Sequence, residues 1–423
     1  MTEASGGTGT WFDTAGLGMF LHWDHASQQG LEISWPLVGG GDILEHAQDV
    51  TPEQYHSSAA TFDPQAWDAP ALARLAKQTG VQYAVLTTKH HNGFSMWHTK
   101  LSDHSIEHTP FGRDIVREFA DAMRAEGIRV GFYYSLCDWH HPDYPAFTME
   151  HRPYQLGVSP PMPSDEQWAS FLEFMYGQLR ELLTDYGRVD VVWFDGGWER
   201  RASQWRSSDL EAMMRELQPG LLINDRLPRV GDYETPEQFV PPTPPERKWE
   251  TCMTMNESWS YNPDDHDYKS PRSLVHTLCE VTGRGGNLLL NVSPRGDGSL
   301  PPEQVERLEH VGAWVRRNGE AVLGTEAGLA SWQHYGPSTK RDARTYVHLL
   351  AKPYESVTVR GVKVKQVERV TELVSGRELA FTKRTGIIEG FGPDPEGEIT
   401  ITVPADVVDD DATVLAIDFR SSP

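Results

Sequence analysis

One acid stands where acids are costly. In VDVVWFDGG, residues 189 to 197, Val191, Val192, Trp193 and Phe194 lead straight into Asp195 before Gly196 and Gly197 break the run. Such a run reads as a strand buried on both faces, and a carboxylate at its end is unfavourable unless it is solvated or used. A cap on the following turn is the plain alternative. Other apolar runs end in the same manner. The first delivers His22 and Trp23, the second Lys89, His90 and His91, the third Tyr133, Tyr134 and Ser135, and another Asn224, Asp225 and Arg226. Imidazole and guanidinium groups bind hydroxyls, while indole and phenol faces cover C–H surface, so with Trp193 and Asp195 the set describes a pocket for a neutral sugar. Side chains alternate along a strand, so one member of each adjacent pair is expected behind the pocket.

Those ends converge only if the strands are parallel and share one sheet. Strands are expected at 17–23, 83–89, 129–135, 189–195, 221–225 and 287–292, with another near 248–252. Helical spacing fills the intervals at about 70–80, 113–126, 165–186, 209–217 and 273–282, and again after Pro302. This alternation fits a (β/α)8-like barrel with an irregular unit better than an open doubly wound sheet, and no GxGxxG follows the first strand. Beyond about Gly324 the texture changes to short alternating segments such as SVTVRGVKV and EITITVPA, the pattern of an antiparallel β-sandwich. The expected division is a catalytic barrel at 8–325 and a sandwich at 326–423, the latter covering one side of the barrel.

With 61 acidic against 38 basic residues, the net charge of -23 argues against nucleic acid or an anionic membrane as partner. Cys137, Cys252 and Cys279 form neither a disulfide framework nor a CxxC pair. The start, MTEASGGTGT, has no basic segment followed by an apolar stretch, and no run of about 20 apolar residues occurs. A cytoplasmic location is expected from the chain as given; a secreted protein trimmed of its signal peptide would read the same. The oligomeric state is not legible.

The segments LGMFLHW, YAVLTTKHHNGFSMW, FYYSLCDW, VVWFDG, INDR, WETCMTMNESWSYN and GRGGNLLLNVSPRGDGSLP resemble, in order, the motifs of the α-L-fucosidases of glycoside hydrolase family 29. The resemblance implies a barrel followed by a β-sandwich. It implies hydrolysis of terminal α-L-fucosyl linkages on a fucosylated oligosaccharide or glycoconjugate, by a retaining double displacement with neither metal nor cofactor. Asp195 would be the nucleophile, and His22, His90, His91, Tyr133, Trp193 and Arg226 would contact the sugar. Glu237, in GDYETPEQ, lies in the loop where members carry the acid/base, with Glu234 and Glu250 as alternatives. A retaining pair needs its carboxyl groups about 5–5.5 Å apart.

The chain departs from the common pattern in the first βα loop. Where many members carry Glu-Trp, SQQGLEISWPLVGG has Ser34-Trp35; Trp35 carries over, and Glu32 is not equated with the missing acid. This loop and HWDHASQQG look similar to the branch favouring α-1,3- and α-1,4-linked fucose in Lewis-type glycans, with a broad-specificity or α-1,2/α-1,6 enzyme as the alternative. Two other classes compete. A metal-dependent barrel hydrolase would draw on His22, Asp24, His25, His90, His91, Asp138, His140 and His141. Against it, the first strand lacks His-x-His, and adjacent histidines on a strand face opposite sides. A binding protein that has lost catalysis would not be expected to keep both Asp195 and a suitable glutamate.

Overall fold

The computed structural model describes residues 11–39, 50–144, 154 and 160–420. The expected domain limits at residues 8 and 423 lie outside them. Seven parallel strands form one curled sheet: β1 (Leu17–Leu21), β2 (Tyr83–Lys89), β3 (Arg129–Ser135), β4 (Val191–Asp195), β5 (Leu222–Ile223), β6 (Glu250–Met253) and β7 (Asn287–Val292). Their order is β5-β4-β3-β2-β1-β7-β6. The two outer strands are joined by the segment 233–237, through parallel bridges Asn224 to Tyr233, Glu234 to Trp249 and Glu237 to Cys252. This segment takes the eighth place in the ring, and it is the irregular unit the sequence implied. β5 is short because the chain doubles back at Gly231, whose φ of +133° suits no side chain and whose Cβ would fall 2.6 Å from the Asp225 Cα.

Helices surround the sheet: α1 (Pro52–His56), α2 (Ala69–Thr79), α3 (Ile115–Ala125), α4 (Asp165–Thr184), α5 (Ala202–Trp205), α6 (Ser207–Leu217), α7 (Pro271–Gly283) and α8 (Pro302–Asn318). Their ends follow local chemistry. Asp68, Asp114 and Ser164 cap α2, α3 and α4 by accepting from backbone N–H groups three residues on, and Ser164 completes a reciprocal box with Gln167. Alternation along each strand sorts the core. Phe20, Tyr83, Val85, Tyr133, Val191, Trp193 and Leu289 fill the barrel interior, while Leu21, Leu86, Phe132, Tyr134, Val192 and Phe194 pack outward against the helices.

After α8, eight antiparallel strands begin with β8 (Glu326–Ala327). They continue as β9 (Ser338–Arg341), β10 (Arg344–Leu349), β11 (Ser356–Lys363), β12 (Val367–Glu372), β13 (Phe381–Thr385), β14 (Glu396–Thr402) and β15 (Thr413–Phe419). Sheets ordered β12-β15-β10-β9-β8 and β11-β14-β13 share an aliphatic core of Val347, Val359, Ile399, Ile401, Leu415 and Ile417. The unit docks on α7 and α8: Trp314 donates to the Ala412 carbonyl at 3.0 Å, and Arg317 meets Asp409 at 3.0 Å. Among the described residues no helix is long and apolar enough to cross a membrane.

Candidate active site

Asp195 ends β4 at the rim of the barrel, its side chain only 11% exposed. Tyr133 of β3 donates its phenol to Oδ2 at 2.9 Å, and Arg226 donates from Nη1 to Oδ1 at 3.0 Å. Burial alone would raise the carboxyl's pKa, but the Arg226 guanidinium and these hydrogen bonds outweigh it and hold Asp195 below the usual carboxylate range. It is therefore ionised at neutral pH and aimed into a cavity of about 480 Å³, within the range of small-molecule sites.

The second nitrogen of the same guanidinium, Nη2, donates to Glu237 Oε2 at 2.6 Å. Glu237 reaches this position because its segment closes the barrel beside β6. One planar cation thus spans two carboxylates, a bidentate geometry that an ammonium does not offer. Arg226 also lies over the Trp193 ring, 4.6 Å from its centroid. His90, Tyr133 and Trp193 form a stacked series, with interplanar angles of 7° and 17°.

Each expected histidine is fixed through Nδ1. His22 meets Asn291 Oδ1 at 2.7 Å; because the Asn291 amide donates to the Trp259 carbonyl, Oδ1 is the acceptor and Nε2 of His22 keeps a lone pair. His90 meets Ser34 Oγ at 2.7 Å. His91 meets Ser135 Oγ at 2.6 Å, and Ser135 gives its own proton to the Cys137 carbonyl, so Nδ1 is again the donor. Burial pushes His22 and His91 down to about 4 and His90 further still. All three are neutral, and His22 and His90 are available for hydroxyl recognition.

His22, Trp35, His90, Tyr133, Trp193, Asp195, Arg226 and Glu237 line the one cavity. His91 does not; it lies behind Asp195, fully buried, with Nε2 unpartnered 3.8 Å from Oδ2. Adjacent histidines do not face opposite sides here, because β2 ends at Lys89 after a register shift; their rings lie 4.1 Å apart. Glu250 is fully buried under the cavity floor, accepting from the Tyr83 hydroxyl and, at 2.9 Å, from the Trp193 indole, and burial raises it to about 7. Glu234 ties its backbone to Lys248 and Glu250 and is not among the cavity's lining residues. Phe20, Trp198, Gln238, Cys252, Glu257 and Trp259 line the cavity without having been picked out in the sequence. Of these, Trp259 is placed by a long-range contact: Glu32, buried and raised to about 8, accepts from the backbone N–H groups of Trp259 and Ser260 and so sets that loop.

A barrel whose strand ends present an ionised carboxylate, a second carboxyl group on the same guanidinium, neutral imidazoles and aromatic walls is a glycosidase. Residues 3–320 match the family model for α-L-fucosidase. The bovine tissue α-L-fucosidase is 32% identical over 343 residues, covering 75% of this chain and 69% of that protein. The solved α-L-fucosidase isoenzyme 1 of Paenibacillus thiaminolyticus superposes with a TM-score of 0.83 at 35% identity, covering 97% of this chain and 98% of that one. A family 29 α-L-fucosidase of Bacteroides thetaiotaomicron, trapped as a covalent intermediate in a glutamate-to-glutamine form, gives a TM-score of 0.83 at 28% identity over 97% and 95%. The chain belongs to the α-L-fucosidases of glycoside hydrolase family 29.

Proposed function

We propose that this fucosidase works with retention, Asp195 attacking the anomeric carbon while Glu237 protonates the departing glycosidic oxygen. The glycosyl ester is then opened by a water that gives its proton to Glu237. The observation that carries this reading is the single Arg226 guanidinium holding both carboxyl groups on one wall of the cavity. It keeps Asp195 ionised for attack, and a sugar entering the cavity must displace Glu237 from its contact before that group can serve the leaving oxygen. The covalent intermediate of the Bacteroides relative supports a nucleophilic path. His22 and His90 receive sugar hydroxyls, Trp35 and Trp193 cover its C–H faces, and His91 backs the nucleophile. Ser34, where an acid is common, serves His90 instead, and α-1,3- and α-1,4-linked fucose in Lewis-type glycans is the proposed substrate. Residues 8–325 form the proposed catalytic unit and 326–423 its cover. The buried free thiols of Cys137, Cys252 and Cys279 suit a reducing compartment such as the cytoplasm.

The test is fucose release from α-1,2, α-1,3, α-1,4 and α-1,6 fucosides, with the anomer of the first product read by NMR. Retention and a preference for the Lewis-type linkages are expected; an inverted product sinks the mechanism. Asp195→Ala should lose at least about a thousandfold in kcat while still binding. Glu237→Gln should slow natural glycans far more than activated aryl fucosides, whose leaving groups need little protonation. Glu257 lines the same cavity and has its nearest cation, Lys269, at 3.6 Å, so it is the second reading. If the contrast between substrates appears in Glu257→Gln and not in Glu237→Gln, Glu257 is the acid/base.

A further inference from the structure

Away from the reacting carboxylates, three loops at the rim bring His25, His56 and His104 together. Each offers a ring nitrogen, and the three nitrogens lie within 4.8 Å of one another. His25 follows β1, His56 ends α1, and His104 belongs to the loop after β2. The arrangement leaves a lone pair or N–H on each ring with nothing to bind: His25 Nε2, His56 Nδ1 and His104 Nε2 are buried and have no hydrogen-bond partner. Three unsatisfied nitrogens converging on one point are costly unless something occupies it.

The hydrogen bonds around the cluster select the form a metal needs. His25 Nδ1 lies 2.7 Å from Ser58 Oγ, whose own proton goes to the Tyr55 carbonyl, so Nδ1 is the donor and Nε2 carries the free lone pair. His104 is held from its other side by the Asn92 carbonyl. An imidazole anchored through one nitrogen and open at the other is the usual outer-shell arrangement of a metal ligand. His140, exposed in the loop after β3, stacks on His104 at 3.9 Å with its ring 5.0 Å from that of His56, so it flanks the cluster without being one of its three converging ligands.

We propose that His25, His56 and His104, with a water completing the shell, bind a zinc-class divalent ion that ties the βα loops together and takes no part in turnover. Imidazole nitrogens, with no carboxylate grouped with them among the described residues, favour such an ion over calcium or magnesium. An ion at about 2.0–2.1 Å from each nitrogen would draw the rings together to the tetrahedral spacing of about 3.4 Å. The tie would reach the substrate cavity through Asn92. Its amide donates to Asp24 at 2.6 Å and to the Tyr55 hydroxyl at 2.7 Å, and its backbone N–H donates to Ser34, the partner of His90.

The untagged chain, stripped with a chelator and dialysed, is titrated with zinc by calorimetry and with cobalt by absorbance. One ion per chain is expected, together with a higher Tm and visible bands of a nitrogen-ligated cobalt. His56→Gln and His104→Gln should each weaken zinc by more than about tenfold, and Ser58→Ala by about tenfold through the His25 ring. Should these variants fail to fold, anomalous scattering from zinc-soaked crystals of the unaltered chain locates the ion directly. The proposal is overturned if no stoichiometric ion binds at about 100 μM zinc. It is equally overturned by folded variants that bind as tightly as the parent, or by an anomalous peak at His90, His91 and Asp195 instead.

Discussion

Arg226 is the residue on which the chemistry of the pocket turns, because it neutralises Asp195 and Glu237 with different nitrogens of one plane. A lysine ammonium is a point charge and cannot span both. In Arg226→Lys, one carboxylate loses its partner, and kcat/KM is expected to fall by about a hundredfold, roughly 2.7 kcal/mol of transition-state stabilisation. The direction of the pH effect is also fixed. The Asp195 carboxyl is now held below the usual carboxylate range, so weakening its cation raises its pKa, and the acid limb of the kcat/KM profile should move to higher pH. A limb that stays in place would show that Arg226 does not tune the nucleophile. Asp195 was visible in the sequence because a buried β run ends in an acid, and the cavity histidines because they cluster at strand ends. Glu257 and Trp259 were not, since they sit in a loop without periodicity whose course is set by a hydrogen bond from the Trp259 N–H to Glu32, 227 residues away in sequence.

At the scale of elements, the floor of the pocket rests on a brace across the barrel interior. Gly18 of β1 leaves room for the ring of Tyr83 of β2: a Cβ there would fall 2.5 Å from the Tyr83 Cζ. Tyr83 in turn donates to Glu250 of β6, which accepts from Trp193 of β4. Gly18→Ala should therefore cost about 1–3 kcal/mol through overpacking, because Tyr83 is wholly buried and has nowhere to move. Glu250→Ala strands two buried donors and should cost about 2–4 kcal/mol, with KM raised through a loosened Trp193; Glu250→Gln keeps an acceptor and should cost less. Chemical denaturation reads both, and equal losses for Ala and Gln at position 250 would dismiss the brace. The parallel strands and their helices were legible from apolar runs and caps. The closing segment 233–237 was not, because it has single bridges in place of a ladder and follows a two-residue strand. That is also why the position of Glu237 needed the resemblance, whereas that of Asp195 did not.

For the whole molecule, the two-part organisation was legible from the change of texture near Gly324, but the pairs that dock the sandwich on α8, such as Arg317 with Asp409, join residues with no local relation. Buried titratable groups in both parts fix how stability depends on pH. His22 and His91 in the barrel and His334 in the sandwich are lowered to about 4, and His25, His56 and His348 to about 3, mainly by burial. Between the ordinary histidine value of about 6.5 and these values the unfolded chain binds protons that the folded chain refuses, so each group subtracts up to about 1.4 kcal/mol per pH unit as pH falls. Buried carboxyls act in the opposite sense: Asp24, Glu32 and Glu250 are raised to about 6, 8 and 7, and Glu199 is raised too, so the folded state holds protons that the unfolded state releases, and stability is lost as pH rises through that range. Below about pH 6.5 the histidines outnumber these acids, and above it only raised acids such as Glu32 and Glu250 still act. Tm measured without added metal should therefore peak near pH 6.5, falling steeply on the acid side and gently up to about pH 8. A Tm that rises steadily from pH 5 to pH 8 would mean that the buried acids ionise within the fold, and the neutral state assigned to Glu32 and Glu250 would have to be abandoned.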